Sequence, residues 1–314
     1  MIVDLSIVIN INAHEEFIFR RNIILQSLEI NNMKNTPILI IGKNGKTGAR
    51  VNERLLTRGY VTRAVSRSTS PSFDWDNQDT WQAAIKGTRI AYVTYHPDLA
   101  LPHAEGRIRE FLKVARENGL EHIVLLSGRG EEGAQRAENV LIESGMTWNI
   151  VRCSWFNQNF SESFMLEGIL AGELVLPEAD TLEPFIDADD IADVVVATLT
   201  EAGHKNKLYE LTGPRALNFA QCVNEISQAL GSSIKYTTVP VDDYIQTLKE
   251  QGQPEDLQWL IRLLFTVVFD GRNCEVMPGV EAVLNRPPTD FKSYIQKTIK
   301  SGVWDDVLLK QASA

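Results

Sequence analysis

Apolar and polar positions along this chain come in blocks. Short, mostly apolar runs at 37–41, 61–65, 89–94, 122–126 and 148–152 read as buried strands. Between and after them, at 49–58, 104–118, 134–144 and 189–201, apolar residues recur every three or four positions, the spacing of amphipathic helices. Gly59, Gly119 and Gly145 stop three of these helices. A further short strand is expected at 208–211. Strand and helix alternating in this way predict a parallel sheet covered on both faces, with right-handed crossovers. The fold class is therefore α/β, a Rossmann-type doubly wound sheet, with its first domain at 36–200.

Beyond Gly213-Pro214 the pattern turns mostly helical. Helices are expected at 218–230, capped by Asn218, and at 241–251 and 255–268, with one strand at 234–239. With parts of 155–185 they form a small, mostly helical C-terminal lobe over 201–314 on the substrate side. Residues 1–35 fit neither pattern. They read as an N-terminal extension, partly helical around 17–28, or as sequence upstream of a start at Met33. The apolar run at 5–11 lacks the basic leader and small-residue cleavage site of a signal peptide.

In parallel sheets ligands bind outside the carboxyl ends of the strands. Those ends place Gly42, Ser66, Tyr95, Ser127 and Ser154 on one rim. The first is the most informative: Gly42-Lys43-Asn44-Gly45-Lys46-Thr47-Gly48 lies between a strand and a helix. Gly42 allows the tight turn, Gly45 lets backbone N–H groups approach a phosphate, and Gly48 lets the helix pack closely. The helix N-terminus then faces the negative charge of a dinucleotide. Asn44, Lys46 and Thr47 join the three glycines as cofactor residues.

The second strand ends in Ser66-Arg67-Ser68, where an NAD site usually carries an acid for the ribose hydroxyls. Arg67 instead offers a guanidinium fork to a 2′-phosphate, helped by the serine hydroxyls. Arg63, Lys43 and Lys46 add positive charge, so NADP(H) is favoured over NAD(H). Asp74 and Trp75 are expected to flank the adenine.

Composition narrows the class. The 314 residues are 44% hydrophobic and 23% charged, with a net charge of −10 that argues against nucleic-acid binding. Cys153, Cys222 and Cys274 are far apart, and the five histidines do not cluster, so no metal site is expected. No apolar stretch reaches the roughly 20 residues that span a bilayer. A cytoplasmic protein, monomeric or homodimeric and acting on a small molecule without nucleic acid or membrane, is the expectation.

Several segments together carry a resemblance: the glycine turn, Ser66-Arg67, Phe73-Asp74-Trp75, residues 122–127, Arg152-Cys153-Ser154-Trp155-Phe156-Asn157-Gln158-Asn159-Phe160, and residues 185–192. The chain resembles the NmrA-like, atypical short-chain dehydrogenases/reductases over roughly 37–304. Within them it looks most like the reductases of ergot alkaloid biosynthesis, the festuclavine and agroclavine dehydrogenase type. The resemblance implies NAD(P)H-dependent reduction and leaves the substrate open.

One departure matters. Typical short-chain reductases carry Tyr-x-x-x-Lys on the helix after Ser127, where the tyrosine gives a proton to the nascent alkoxide. Here that region reads Gly133-Ala134-Gln135-Arg136-Ala137-Glu138. Two readings follow. In the first, the substrate is an iminium, a quinone or another conjugated acceptor that asks little of a protein acid, and catalysis is mostly positioning. Ser127 and Tyr95 are then the catalytic candidates. His96, Trp155, Phe156 and Asn157 are substrate contacts, with His96 a further candidate donor and Asn159 an alternative to Asn157. In the second, the chain senses NADP(H) without turnover and reports to a protein partner. The glycine-flanked pair Glu131-Glu132 reads as a solvated loop, and Asp187, Asp189 and Asp190 read as acids opposing a helix dipole.

Overall fold

The computed structural model describes residues 34–307. The expectations for an N-terminal extension and a helix around 17–28 lie outside these residues, apart from Lys34 and Asn35. In chain order the first half runs β1 (Ile38–Ile41), α1 (Lys46–Thr57), β2 (Thr62–Val65), α2 (Trp81–Ile85), β3 (Ile90–Val93), α3 (Ala104–Glu117), β4 (His122–Gly128), α4 (Glu132–Ile142) and β5 (Thr147–Cys153). There follow α5 (Asn159–Glu162), α6 (Met165–Ala171), β6 (Glu173–Pro177), α7 (Ala188–Thr200), β7 (Lys207–Leu211), α8 (Phe219–Leu230) and β8 (Lys235–Val239). The chain closes with α9 (Val241–Glu250), α10 (Glu255–Leu263), α11 (Gly279–Leu284) and α12 (Phe291–Lys300).

The main sheet is six-stranded and parallel, in the order β2-β1-β3-β4-β5-β7. Its direction of growth reverses between β1 and β3, which opens a crevice at their carboxyl ends. Strand periodicity decides what covers each face. Leu39, Ile41, Ala91, Val93, Ile123 and Leu125 point to the layer of α2, α3 and α4. Ile38, Ile40, Tyr92, Val124 and Val151 point to the layer of α1 and α7. Helix α7 is buried on nearly every side, so its sequence is apolar around most of its circumference. Among the described residues no helix is long and apolar enough to cross a membrane.

A second core, rich in aromatic rings (Phe160, Phe185, Phe219, Phe265, Phe269, Phe291), holds the lobe together with the two-stranded parallel pair β6-β8. Helix α8 starts as expected. Asn218 accepts the Gln221 N–H at 2.8 Å, and the Gln221 side chain accepts the Asn218 N–H at 2.9 Å.

The structure departs from the sequence reading at the domain boundary and adds elements that reading did not contain, among them α2, β6 and α12. The sheet runs past residue 200: β7 pairs with β5 and covers an edge that would otherwise expose unpaired backbone. Helix α11 then returns from the lobe side to pack on α7 and β7, so the boundary at 200 divides a continuous sheet. The helix expected at 255–268 is present over that span, with its last five residues, Leu264–Val268, widened to π geometry.

Candidate active site

The glycine turn closes on backbone. Gly42 stands at φ +92°, and a side chain there would collide with the Thr94 hydroxyl. The Gly42 and Lys43 N–H groups both donate to the Val65 carbonyl, at 3.2 and 3.1 Å, and the Gly45 N–H donates to the Gly42 carbonyl at 2.9 Å. A Cβ on Gly48 would strike that same carbonyl, so the third glycine lets α1 start directly on the turn. Gly45 is different. An added Cβ would meet only the Gly42 oxygen, at 3.3 Å, which leaves its outer side open. Gly45 is also the residue before α1, with extended backbone and no side-chain cap, so the first N–H groups of the helix stay available to an anion. This cradle fits a dinucleotide pyrophosphate.

The remaining cofactor candidates separate. The Asn44 amide reaches the Ser66 hydroxyl at 3.4 Å and joins the turn to the end of β2. Arg67 is exposed beside Ser66 and Ser68, whose hydroxyls lie 3.2 Å apart. Thr47 corrects the sequence reading: its side chain is buried and accepts a hydrogen bond from the Tyr92 hydroxyl at 2.9 Å, so it offers a phosphate only its backbone. Trp75 is a second correction. Its indole donates to the Thr94 carbonyl at 3.1 Å and packs edge-on against Phe73 and Trp81, inside the core and not beside an adenine. Asp74 stays partly exposed, with its carboxylate accepting the Asp76 N–H at 3.1 Å.

Beyond the turn lies a cavity of about 340 Å³. Lys46 from α1 stands on its wall, as do Tyr95 and Ser127 from the ends of β3 and β4. Trp155 and Phe156 follow from the end of β5, and Leu260, Ile261 and Leu264 close it from the lobe. Trp155 is held by Phe219, Phe265 and Phe269, with ring centroids 5.5, 5.8 and 4.7 Å away. A second cleft of about 500 Å³, with Glu178, Asn218 and Thr238 on its walls, takes no residue from the strand ends.

Two substrate candidates are misplaced. Asn157 is fully buried with its N–H given to the Ile186 carbonyl at 2.8 Å, and the cavity is lined by Asn159 instead. A turn of chain sends one asparagine inward and the other to the surface of the groove. The exposed His96 lies outside the cavity, where partial burial and the Arg67 charge lower its pKa and Asp76 and Asp74 oppose the shift. It belongs to the nucleotide side.

The helix face where Tyr-x-x-x-Lys would stand carries an ion pair. Ser127 donates its hydroxyl proton to Glu138 at 2.5 Å; Glu138 is bound by Arg152, which also donates to Glu210 at 2.8 Å. With its proton committed to a carboxylate, Ser127 is an acceptor or an orienting group and not a proton source. Burial pushes the Tyr95 phenol up to about 12, so it stays neutral and can donate a hydrogen bond.

Further groups escaped the sequence reading. Glu131 is not solvated: it is 7% exposed, lies against Gly128, and its Oε2 has no hydrogen-bond partner among the described residues. Asp98, half-buried, faces it and accepts the Ala100 N–H at 2.8 Å. Burial and the Asp98 carboxylate push Glu131 well above the ordinary range, and burial raises Asp98 too. Glu183 is buried beside Ser154 and is pushed up to about 7 by burial, against the pull of Ser154 and Arg129. Arg129 ties the rim to the lobe through the Asn273 and Glu275 carbonyls, at 2.7 and 3.0 Å. Gly128 and Gly133 were the available signal: a side chain at the first would displace Glu131, and one at the second would strike the Ala100 carbonyl.

Gln158 and Asp187 fix the loop that follows β5. Asp187 caps α7 by accepting the Asp189 N–H at 2.9 Å, while Gln158 donates to Asp187 at 2.7 Å and accepts the Ala188 N–H at 2.8 Å. The three aspartates are thus helix-start acids, as read.

No family model matches the chain. It is 29% identical over 283 residues to an NAD(P)H azoreductase of Xenophilus azovorans, covering 82% of this chain and 96% of that one. It is 27% identical over 281 residues to a festuclavine dehydrogenase of Aspergillus fumigatus, covering 83% and 97%. Among solved structures, the triphenylmethane reductase of Citrobacter sp. complexed with NADP(H) superposes with a TM-score of 0.70 at 16% identity, over 83% of this chain and 99% of that one, a likeness of fold. With the glycine cradle, the rim of strand ends and these relatives taken together, the chain is similar to the NmrA-like, atypical short-chain dehydrogenases/reductases, a likeness to NAD(P)H-dependent oxidoreductases.

Proposed function

We propose that this protein uses NADPH to reduce a small, flat organic electrophile: an iminium ion, a quinone or another conjugated acceptor. One observation carries the reading. Lys46 is both the first residue of the phosphate-facing helix and part of the wall of the apolar cavity. A dinucleotide seated on the turn therefore has its reactive end directed to Tyr95, Ser127 and Phe156. Bound there, the nicotinamide supplies a hydride. The protein contributes position: Trp155, Phe156 and Leu260 exclude water and hold an aromatic acceptor, and Tyr95 can donate a hydrogen bond to it. Arg67 with Ser66 and Ser68 supports the choice of NADPH over NADH, because that rim offers a cation and hydroxyls where an acid would favour NADH. Relatives named for azo-dye, quinone and festuclavine chemistry act on acceptors of the same class.

The test is NADPH oxidation by purified protein against quinones, flavins, azo dyes, cyclic iminium ions and enones, with NADPH affinity measured on the same sample. Turnover of one acceptor class is expected. Tight NADPH binding with no turnover across the panel would overturn the reductase reading in favour of a dinucleotide sensor, which the missing Tyr-x-x-x-Lys equally allows.

A further inference from the structure

We propose that the Asp98–Glu131 carboxyl pair is the proton source of this active site, and that the acceptor is accordingly one that gains a proton as it is reduced, such as a quinone, azo or enone group. This rests on the reductase reading. Both residues line the cavity of the strand-end rim, Asp98 half-buried at its surface and Glu131 behind it. Their carboxyl groups face one another closely enough to share a hydrogen bond once one carries a proton. Two such groups in a buried site resist ionising together, so one keeps its proton beyond the ordinary carboxylate range and the pair titrates as a unit. The other charges felt by Glu131, from Glu138 and Glu183, are negative and reinforce retention of that proton.

A second observation points into the same space. The Ser154 hydroxyl is 3% exposed and lines the cavity, with the Glu183 carboxyl beside it. A hydroxyl placed there can also meet the heteroatom of an acceptor held in the cavity. The usual donors are spent elsewhere: the Ser127 hydroxyl is hydrogen-bonded to Glu138, and the position of the family tyrosine is empty of any phenol. The step balances. The acceptor takes hydride at one atom and the proton from Asp98 at a heteroatom. The two electrons are those lost by the nicotinamide. Glu131 reloads Asp98, and solvent restores the pair. Asp98 is thus the catalytic residue and Glu131 a positioning and reloading residue.

The experiment uses the NADPH-loaded full chain with two probes, a naphthoquinone, which must be protonated, and a cyclic N-alkyl iminium ion, which needs only hydride. D98N is expected to lower the quinone-to-iminium rate ratio by about a hundredfold, the scale of general acid catalysis. It should also remove the fall of quinone kcat at alkaline pH, and E131Q should move that limb without raising KM. Wild-type protein with isotope-labelled carboxyl groups, followed by NMR without any acceptor, should keep one of the two carboxyls protonated well past the range in which an ordinary carboxylate ionises. Both carboxyls ionising in the ordinary range would overturn the proposal even if the variants fail to fold. So would an unchanged rate ratio in D98N. Turnover of iminium ions but of no quinone, azo dye or enone would sink it while leaving the reductase reading intact; no turnover at all would remove both.

Discussion

The two ends of the active-site groove are built on opposite plans. The nucleotide end is seven consecutive residues whose work is done by backbone: three glycines, each excluded from bearing a side chain by a different neighbour or by the phosphate it admits. The acceptor end is assembled from the tips of β3, β4 and β5, the loop after β5, and α10, and its work is done by side chains. A contiguous backbone device tolerates little change and depends on no distant contact. A composite side-chain wall changes specificity with each substitution, and its charges depend on what several elements bury together. The first plan suits the constant partner of the reaction, the second the variable one.

Gly45→Val is the most severe way to break this comparison. Because an added Cβ meets only one protein atom, the fold should survive, while NADPH affinity falls by at least about 100-fold, roughly 2.7 kcal/mol. Calorimetric titration beside a melting curve separates the two; retained binding would mean the dinucleotide sits elsewhere. Arg67→Ala sharpens the same end. NADPH should bind about 10–30-fold more weakly with NADH little changed, the worth of a charge-assisted fork. Equal losses for both cofactors would refute the assignment.

The acceptor end is probed through its buried charge. Glu183 is raised to about 7, so its contribution to stability is full below the ordinary glutamate range and is lost as pH rises through about 7. Glu183→Gln should therefore melt like wild type near pH 4 and become more stable by about 2 kcal/mol near pH 8. A variant equally unstable at both pH values would contradict this. The nucleotide-side helix pair behaves in the reverse sense. Burial opposes it, but Lys297 and Arg54 hold Asp189 down to about 2. Its stabilisation is present above the ordinary aspartate range and disappears as pH falls toward about 2. Asp189→Asn should cost about 1 kcal/mol near neutral pH and nothing near pH 2, a smaller effect because the carboxylate is partly hydrated. Thermal melts across pH read both.

The contrast also explains what was legible from the residues alone. A strand, three glycines and a helix lie next to one another in the chain, so the phosphate cradle, the sheet and the Asn218 cap could be read locally. The side-chain assignments around it could not. Thr47 and Trp75 sit in the right segments but turn inward, because Tyr92 and the aromatic cluster of Phe73 and Trp81 claim them. Whether Asn157 or Asn159 faces the groove is set by one turn of chain after β5. Glu131 and Glu132 look alike as neighbours between glycines. Only the packing of Gly128 and Gly133 sends the first inward while the second begins α4.

The ion pair of Glu138 and Arg152 has a consequence for the history and redesign of this chain. A tyrosine and lysine grafted onto α4 would not by themselves make a ketone reductase, because the serine they need is already bonded to Glu138. Removing Glu138 first would take from the mostly buried Arg152 one of its two carboxylate partners and leave it Glu210, a destabilising change. Conversion in either direction thus crosses a valley of unstable intermediates unless several substitutions arrive together. The chain is held to its own branch of chemistry as firmly by a charge in its core as by the shape of its cavity.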